Sequence, residues 1–355
     1  MYALARPLLF SLDAESAHGA GLKAIEAAYR LGLNPLMASK PEPLPVSLLG
    51  LQFSNPVGLA AGLDKNAAHV DALASLGFGF IEVGTVTPKA QPGNPKPRMF
   101  RLPEFDAVIN RLGFNNGGLP ELLKNLECVR YSGVLGINIG KNKDTANSDA
   151  LKDYLTCLHA VYARASYVTV NISSPNTQGL RDLQQLDALK TLLGGLREAQ
   201  INLATQHGKH TPMLLKVAPD LSESDLDDIA SVVHSTGFEG VIATNTTISR
   251  KGISGKYADE QGGLSGRPVF EAATYILAGL RARLDAEIVL VGVGGILSGV
   301  DAAKKVAVGA ELIQFYTGMI YRGPALIGEC VEAIRGANAG VTARSNLASG
   351  KTSTL

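Results

Sequence analysis

The sequence has few cysteines, little net charge and no long apolar run, and each absence excludes a class of protein. Its three cysteines, Cys128, Cys157 and Cys330, lie far apart and form no CxxC pair. They predict reduced core or helix residues in a reducing compartment rather than a disulfide or metal framework, and we predict no metal site. The formal net charge of +1 provides neither a basic field for nucleic acid nor an acidic tail.

No stretch reaches the roughly 18 consecutive apolar residues that a membrane-spanning helix needs. Pro7 interrupts the apolar start and no small-residue cleavage site follows, which argues against a secretory signal. The first strand is not followed by the GxGxxG turn of a doubly wound dinucleotide-binding sheet. At 355 residues, the length suits one barrel or two ordinary domains.

Apolar runs with polar or glycine endings recur from residue 56 onward, with helical patterns between most of them. The predicted strands are Val57–Ala61, Phe80–Val86, Val134–Ile139, Tyr167–Ile172, Met213–Val217, Gly240–Thr244, Ile288–Val293 and Leu312–Tyr316. Continuous apolar strands that alternate with helices indicate a parallel sheet buried on both faces. We therefore predict an α/β fold, a (β/α)8 TIM barrel, with the open doubly wound sheet as the competing architecture.

Residues 1–35 form a predicted two-helix extension ahead of the barrel, which we place at residues 36–336. Asp13 is a predicted N-cap of the second helix, and Asn34-Pro35 ends it. Two short helices with apolar faces either pack against the barrel wall or form a surface that contacts a membrane or an apolar ligand. Residues 337–355 are small, polar and weakly periodic, and predict a disordered tail.

The predicted strands turn polar at their carboxyl ends, where α/β barrels keep their chemistry. The run Asn171–Thr177 shows this most clearly, although an ordinary strand-ending turn has the same composition. Lys216 lies inside an apolar strand, which is costly unless the lysine is paired or faces a ligand. Amides follow several strands and predict a planar polar ligand read by hydrogen bonds; they are Asn138, Asn171, Asn176 and Asn245.

Glycine-rich segments after the last two predicted strands indicate a phosphate site. Val291–Ile296 leads into a helix near Ser298, and Phe315–Gly318 follows the last strand. Gly262–Gly266 adds a candidate backbone wall. A phosphate site beside a buried lysine fits flavin mononucleotide (FMN), whose reduced ring a cation stabilises. Pyridoxal phosphate, with Lys216 as the Schiff-base residue, is the alternative.

Several sequence motifs, in order along the chain, resemble those of one enzyme family. They are Arg6–Phe10, Glu15–His18, Ala60–Lys65, Pro97–Leu102, Asn110–Asn116, Asn171–Asn176, Thr244–Thr246 and Gly262–Pro268. With these residues the chain resembles dihydroorotate dehydrogenase, in particular its class 2, the membrane-associated and quinone-reducing form. The resemblance runs from residue 1 to about residue 335.

The resemblance implies the oxidation of dihydroorotate to orotate in pyrimidine (UMP) biosynthesis, with one FMN per chain. Ser174 would take a proton from C5 while hydride passes from C6 to the flavin N5; a turn or helix cap is its alternative role. The implied FMN residues are Ala61, Gly62, Leu63, Asp64, Lys65, Thr85, Asn138, Asn171, Lys216, Thr244, Gly266, Gly295, Tyr316 and Thr317. The implied substrate residues are Lys65, Asn110, Arg111, Leu112, Gly113, Phe114, Asn171, Asn176, Asn245 and Thr246.

The resemblance also implies that the N-terminal helices form an apolar tunnel for a membrane quinone that reoxidises FMN. His18 and Arg101 would meet the quinone head group, with a satisfied surface histidine as the alternative for His18. We expect a monomer that contacts the cytoplasmic face of the inner membrane peripherally. Two rival hypotheses remain, a phosphate- or pyridoxal-dependent lyase that uses Lys216, and a membrane-surface binding protein on a catalytically idle barrel.

Overall fold

The computed structural model describes residues 2–39 and 41–348, which contain thirteen strands and eleven α-helices. The strands are β1 Val46–Leu48, β2 Leu51–Phe53, β3 Val57–Leu59, β4 Phe80–Val86, β5 Met99–Leu102, β6 Ala107–Asn110, β7 Val134–Ile139, β8 Tyr167–Asn171, β9 Met213–Val217, β10 Gly240–Ala243, β11 Gly263–Gly266, β12 Val289–Val293 and β13 Leu312–Phe315. The helices are α1 Tyr2–Ser11, α2 Ala14–Arg30, α3 Val70–Ala74, α4 Gly118–Leu126, α5 Ala150–Val161, α6 Leu186–His207, α7 Glu223–Thr236, α8 Phe270–Arg281, α9 Gly299–Ala307, α10 Thr317–Arg322 and α11 Ala325–Ala348.

Eight parallel strands close into a barrel, in the order β3, β4, β7, β8, β9, β10, β12 and β13, with β13 paired back to β3. These are the eight strands predicted from the apolar runs, so the TIM barrel is confirmed and the open sheet is excluded. Several strands stop one or two residues before their apolar run does. Ala61, Ile172 and Thr244 therefore lie beyond the strand ends, in the loops that face the barrel mouth.

The barrel interior is filled at its amino-terminal end by aromatic and branched side chains. Phe80 of β4 meets Phe53 of β2 with ring centroids 5.2 Å apart and an interplanar angle of 84°. The β1–β2 hairpin thus covers the bottom of the barrel, because Phe53, only 1% exposed, inserts from below. With the bottom sealed, the carboxyl-terminal mouth is left as the place for a ligand.

A three-stranded antiparallel sheet of β5, β6 and β11 was not predicted from the sequence. It joins a segment of the long connection between β4 and α4 to the loop after β10, pairing Asn110 with Gly263 and Ala107 with Gly266. Each strand is only four residues long; β5 and β6 form a local hairpin, whereas β11 lies some 150 residues from β6 in the chain. Such pairing leaves little local signal, whereas a buried barrel strand is visible in its own composition.

The two predicted N-terminal helices are present, and α2 begins as predicted, since the Asp13 carboxylate accepts hydrogen bonds from Glu15 N and Ser16 N. The first helix is fixed to α10, because the Tyr2 hydroxyl donates to Ile320 O and Arg6 Nη1 donates to Tyr321 O at 3.1 Å. Large apolar side chains of the extension remain exposed, among them Leu4 (85%), Leu8 (71%), Leu31 (73%) and Leu33 (46%).

No helix of the described residues is long and apolar enough to cross a membrane. At the other end of the chain, α11 continues across the predicted boundary at residue 336 and ends at Ala348. The helix thus includes residues 337–348, for which the sequence predicts disorder, and that disorder stays a prediction. The rest of the predicted tail, residues 349–355, lies outside the described residues.

A buried ion pair fixes α2 to the wall of the barrel mouth. Glu15 accepts two hydrogen bonds from Arg98, one from Nε at 3.0 Å and one from Nη2 at 2.7 Å. The guanidinium is 7% exposed and also donates to Pro92 O and Asn94 O. Because Asn94 Nδ2 in turn donates to Arg111 O at 2.9 Å, this one arginine connects the helix to the loop after β6.

We expect Glu15→Gln to destabilise the protein by about 2 kcal/mol at pH 7, because Arg98 loses a charged acceptor while remaining buried. Arg98 lowers the pKa of Glu15. The ion pair therefore contributes its full stability above the pKa of an unfolded-state glutamate, roughly 4.3. That stability is lost as the pH falls through the lower pKa of Glu15 in the folded protein, where wild type and variant become equally stable. Urea unfolding followed by circular dichroism measures the difference.

Glu26→Gln is the matched control on the same helix. Glu26 pairs with Arg30, which is 75% exposed, so its loss should cost less than about 0.5 kcal/mol. Equal effects of the two substitutions would show that the Glu15–Arg98 pair has no special role in holding α2.

Candidate active site

A cleft of about 1030 Å³ opens at the carboxyl ends of the barrel strands. Most of the residues singled out in the sequence line it together; they are Ala61, Gly62, Lys65, Thr85, Asn110, Leu112, Gly113, Phe114, Asn171, Ser174, Asn176, Lys216, Thr244, Asn245, Thr246, Gly266, Gly295, Tyr316 and Thr317. They come from the carboxyl ends of seven of the eight barrel strands or the loops after them, and from the β5–β6–β11 sheet with the loop after β6. The cleft therefore exists only once the barrel is closed.

Four of the expected site residues lie outside this lining. Arg111 points away, pairs with Glu260 and lies over the Phe100 ring at 4.8 Å. Leu63 faces the N-terminal helices. The Asp64 carboxylate accepts hydrogen bonds from His69 N at 2.7 Å and Ala68 N at 3.0 Å, and its role in the described contacts is to hold the turn before α3.

Asn138 is the fourth, and it is fully buried one layer below the cleft. Its Oδ1 accepts from Thr85 Oγ1 at 2.5 Å, and its Nδ2 donates to Glu82 Oε1 at 2.8 Å. Since Thr85 Oγ1 also accepts from Asn171 Nδ2 at 2.9 Å, the buried amide orients two residues that do line the cleft.

The amides after β8 and β10 form one hydrogen-bonded group. Asn171 Oδ1 accepts from Ser173 Oγ at 3.0 Å and from Asn245 Nδ2 at 3.3 Å, and Asn245 Nδ2 also donates to Ser173 Oγ at 3.0 Å. Ser173 is completely buried in this contact. Its hydroxyl is thus used in holding the two asparagines, which leaves their remaining amide edges for a planar ligand.

Ser174, one residue later, lines the cleft and is 6% exposed. Its Oγ accepts a hydrogen bond from Asn176 N at 3.2 Å, while Asn176 Nδ2 donates to Asn110 Oδ1 at 3.0 Å. A backbone N–H directed at the hydroxyl oxygen favours any negative charge that develops there. The geometry therefore separates the two serines, one inside a structural contact and one at the cleft.

Lys65 supplies the cation at the outer part of the cleft. Its ammonium donates to Asn115 Oδ1. Burial lowers the pKa of Lys65 to about 7, with repulsion from Arg98 adding to this and Glu15 opposing it. An anion bound beside Lys65 would raise that pKa again and hold the amine in its charged form.

Lys216 supplies a second cation at the base of the cleft, where it is 5% exposed. Its nearest charged partner is Glu82 of β4, with Nζ and Oε1 4.0 Å apart, so the ammonium keeps its hydrogen-bonding capacity. Sequence reasoning found Lys216 and missed Glu82. The same signal was available, because Glu82 is a charged residue inside the apolar run Phe80–Val86.

The opposite end of the cleft consists of tight glycine turns. Gly266, Gly294 and Gly295 all have positive φ angles, of 91°, 104° and 77°. Beside them Thr317 Oγ1 donates to Ser265 Oγ at 2.9 Å, where α10 begins. Backbone N–H groups in the first turn of a helix have no partner within that helix, so this end suits an anion such as a phosphate.

A second, apolar pocket of about 660 Å³ lies between the N-terminal helices and the β5–β6–β11 sheet. Both residues expected to meet a quinone line it. Arg101 Nη1 donates to Leu9 O at 2.9 Å and the guanidinium lies 4.8 Å from the Phe10 ring centroid. Burial lowers the pKa of His18 to about 4, with help from Lys65, so at neutral pH its ring is uncharged.

A third space, of about 630 Å³, lies between the apolar pocket and the polar cleft. His18, Leu63 and Met99 line both the apolar pocket and this space, whereas Gly62 and Tyr316 line both this space and the cleft. The His18 and Tyr316 rings have centroids 6.4 Å apart. The two cavities are therefore neighbours, separated by a few side chains.

Comparison with known proteins decides the family. A family model described as dihydroorotate dehydrogenase matches residues 43–336. The chain belongs to the dihydroorotate dehydrogenase family. A dihydroorotate dehydrogenase (quinone) of Stenotrophomonas maltophilia strain K279a is 59% identical over 337 residues, which cover 94% of this chain and 96% of that protein. One of Flavobacterium lutescens is 60% identical over 337 residues, with the same coverage.

Solved structures agree with the sequence comparison. DHODH of Eimeria tenella in complex with ferulenol matches with a TM-score of 0.85 and 37% identity, covering 92% of each chain. The ligand-free DHODH of that organism matches with a TM-score of 0.85 and 39% identity, covering 93% of this chain and 96% of that one. The resemblance to the dihydroorotate dehydrogenase family seen in the sequence is confirmed.

We expect Gly295→Ala to destabilise the protein clearly more than Gly62→Ala. Both glycines have positive φ, 77° and 108°, so each substitution carries backbone strain of about 1–2 kcal/mol. At Gly295 the new Cβ would also lie 2.4 Å from Phe270 Cβ, whereas at Gly62 no atom lies within 4 Å. Urea unfolding of both variants measures the difference, and equal losses would contradict the packing described for Gly295.

Proposed function

We propose that this chain oxidises dihydroorotate to orotate in pyrimidine biosynthesis, with FMN in the polar cleft and a membrane quinone as electron acceptor. The observation that supports this best is the match to quinone-dependent dihydroorotate dehydrogenases at about 59% identity over 94% of the chain. The adjacent apolar pocket agrees with it, because an enzyme that passes electrons to a quinone needs an apolar site beside its cofactor.

The cleft fits FMN in size, charge and polarity. It has an anion-binding end at the glycine turns and, at its base, the Lys216 ammonium, which lies beyond hydrogen-bonding distance of its charged neighbour. In the proposal the cofactor is held by Ala61, Gly62, Lys65, Thr85, Asn171, Lys216, Thr244, Gly266, Gly295, Tyr316 and Thr317. Leu63, Asp64 and Asn138 act one layer further out, by shaping the wall or orienting Thr85.

Bound in this cleft, FMN would supply the hydride acceptor for dihydroorotate and the electron source for the quinone. The protein contributes position and charge. Lys216 faces the cofactor with a cation, which favours the anionic reduced ring. Thr85 and Asn171, fixed to each other and to buried Asn138, provide directed donors and acceptors that need no rearrangement.

The substrate is proposed to lie between Lys65 and the amide group. Lys65 binds its carboxylate, and the amide edges of Asn110, Asn171, Asn176 and Asn245, with Thr246, hydrogen-bond its ring. Leu112, Gly113 and Phe114 close the wall beside Asn110. Arg111 contributes through its backbone and its pairing with Glu260 rather than through contact with the ligand.

Ser174 is the proposed base: its Oγ takes the C5 proton while its own hydroxyl proton leaves along a water path. A serine hydroxyl is a weak base, so it must be helped by its surroundings. The Asn176 N–H that donates to Oγ stabilises the developing negative charge, and the low exposure of Ser174 keeps bulk water away from it.

The N-terminal helices are proposed as the quinone entry. Their exposed leucines form an apolar surface that can lie on a membrane, as an amphipathic helix does, and the pocket beneath leads to the FMN cleft. His18 and Arg101 would contact the quinone head group. We further propose that the protein is a monomer on the cytoplasmic face of the inner membrane.

Anaerobic reduction by dihydroorotate, followed by reoxidation, tests the proposed function. The flavin absorbance of the purified protein should bleach with dihydroorotate and return when a quinone is added, whereas fumarate should be ineffective. A protein without flavin absorbance that yields a borohydride-trapped Lys216 adduct would instead support the lyase hypothesis. Flavin that dihydroorotate leaves oxidised would favour an idle barrel.

We expect Ser174→Ala to slow flavin bleaching by dihydroorotate about 10²–10⁴-fold at neutral pH while FMN stays bound. Stopped-flow absorbance measures bleaching, and fluorescence measures bound FMN. Ser173→Ala is the comparison, because Ser173 holds Asn171 and Asn245 and its loss should mainly weaken substrate binding. If Ser174→Ala bleaches at the wild-type rate, the base is another group.

We expect Ala17→Phe to raise the KM for quinone several-fold, because Ala17 lines the apolar pocket and the larger side chain would occupy it. Bleaching by dihydroorotate should change little. Ala24→Phe, at an exposed position of the same helix, is the matched control. Stopped-flow measurement of the two half-reactions separates the effects; equal slowing of both would argue against a separate quinone site.

A further inference from the structure

The buried polar group below the cleft is centred on one carboxylate. Glu82 of β4 is completely buried, and its oxygens accept three hydrogen bonds: from Asn138 Nδ2 at 2.8 Å, Tyr167 Oη at 2.9 Å and Gln314 Nε2 at 2.8 Å. The donors come from β7, β8 and β13, so the group spans the barrel interior. These three hydrogen bonds occupy both carboxylate oxygens.

The charge of Glu82 faces Lys216 of β9 without being hydrogen-bonded to it. Glu82 Oε1 and Lys216 Nζ are 4.0 Å apart, beyond hydrogen-bonding distance but close enough for strong attraction in a buried site. The oxygens of Glu82 already have three donors. The carboxylate therefore attracts the Lys216 ammonium electrostatically. The ammonium N–H groups remain available to donate to a ligand in the cleft.

We propose that Glu82 is a positioning residue that keeps Lys216 protonated and holds its ammonium at the base of the cleft. This inference rests on the proposed function, in which the Lys216 cation faces FMN. Glu82 touches neither the cofactor nor the substrate in this assignment and acts only through Lys216.

Burial and the Glu82 charge have opposite effects on the protonation of Lys216. Burial lowers the pKa of Lys216, and the Glu82 carboxylate opposes this by raising it. The other titratable group of this core is Tyr167 of β8, and its pKa is raised well above its usual value by burial and by Glu82, so it stays neutral. The remaining neighbours Asn138, Gln314 and Thr169 are uncharged. Glu82 is thus the one counter-charge for Lys216 among the described residues.

Glu82→Gln tests the proposal because glutamine keeps the shape and removes the charge. Without the carboxylate, Lys216 should lose its proton to water within the working pH range, and each unit by which its pKa falls lowers the cationic fraction about tenfold. The midpoint potential of bound FMN should then be lower than in the wild type. The gap should widen as the pH rises from 6 to 9; at the low end, where Lys216 keeps more of its proton, the loss of the Glu82 charge works against it.

The opposite sign overturns the proposal. If Lys216 stays protonated without Glu82, removing a negative charge raises the midpoint potential of FMN by a similar amount at every pH. Potentials measured against reference dyes, with the FMN dissociation constant from fluorescence as a second readout, distinguish the two results without any turnover assay.

Tyr167→Phe is the matched control, because it removes one hydrogen bond to Glu82 and leaves the charge in place. It should shift the potential much less than Glu82→Gln and show no widening with pH; a shift of equal size would assign the effect to packing.

Should Glu82→Gln fail to fold, Glu82→Asp is the second test, because its shorter side chain draws the charge away from Lys216. It should give a smaller shift in the same direction, and no shift or an upward one would overturn the proposal.

The wild type separates this inference from the proposed function. If its flavin bleaches with dihydroorotate, the function stands whatever the Glu82 variants do. If it does not bleach but still binds FMN, the potential measurements on the Glu82 variants remain valid, because they need the cofactor and not the substrate.

Discussion

Closure of the barrel is the constraint on which the rest of the structure depends. The pairing of β13 with β3 brings the last barrel strand beside the first, so that Tyr316 and Gly62 share one cavity wall. Because all eight strands are parallel, every carboxyl end opens at the same face. Residues as far apart in the sequence as Ala61 and Thr317 therefore line the same cleft.

The sequence was most informative for elements that can be recognised from their own residues alone. The buried strands were visible in their composition, and Lys216 was found as a charge inside an apolar run. The β5–β6–β11 sheet was missed because its strands are only four residues long and β11 pairs with β6 from a distant part of the chain. Glu82 was missed although it shows the same signal as Lys216. The assignment of Ser174 rather than Ser173 as the base came from the family resemblance and stays a prediction; the contacts show Ser173 bonded to Asn171 and Ser174 accepting from Asn176 N.

Two adjacent cavities of opposite character share a wall. The cleft has charged and amide residues, whereas the pocket under the N-terminal helices has His18, whose pKa is lowered to about 4, and otherwise mostly apolar side chains. The Glu15–Arg98 pair joins the two regions, since Glu15 is on α2 and Arg98 also holds the loop at Asn94. A polar substrate and an apolar acceptor can therefore be handled a few side chains apart.

The contacts of α1 with residues near the carboxyl end also determine when the molecule can be completed. Tyr2 and Arg6 bind the carbonyls of Ile320 and Tyr321, which a ribosome makes some 320 residues later. At ordinary rates of synthesis that interval is on the order of 15–60 s. Through that time α1 lacks its contacts with α10, although α2 can already pair with Arg98. The position of α1 is therefore completed only when the last part of the barrel has been made.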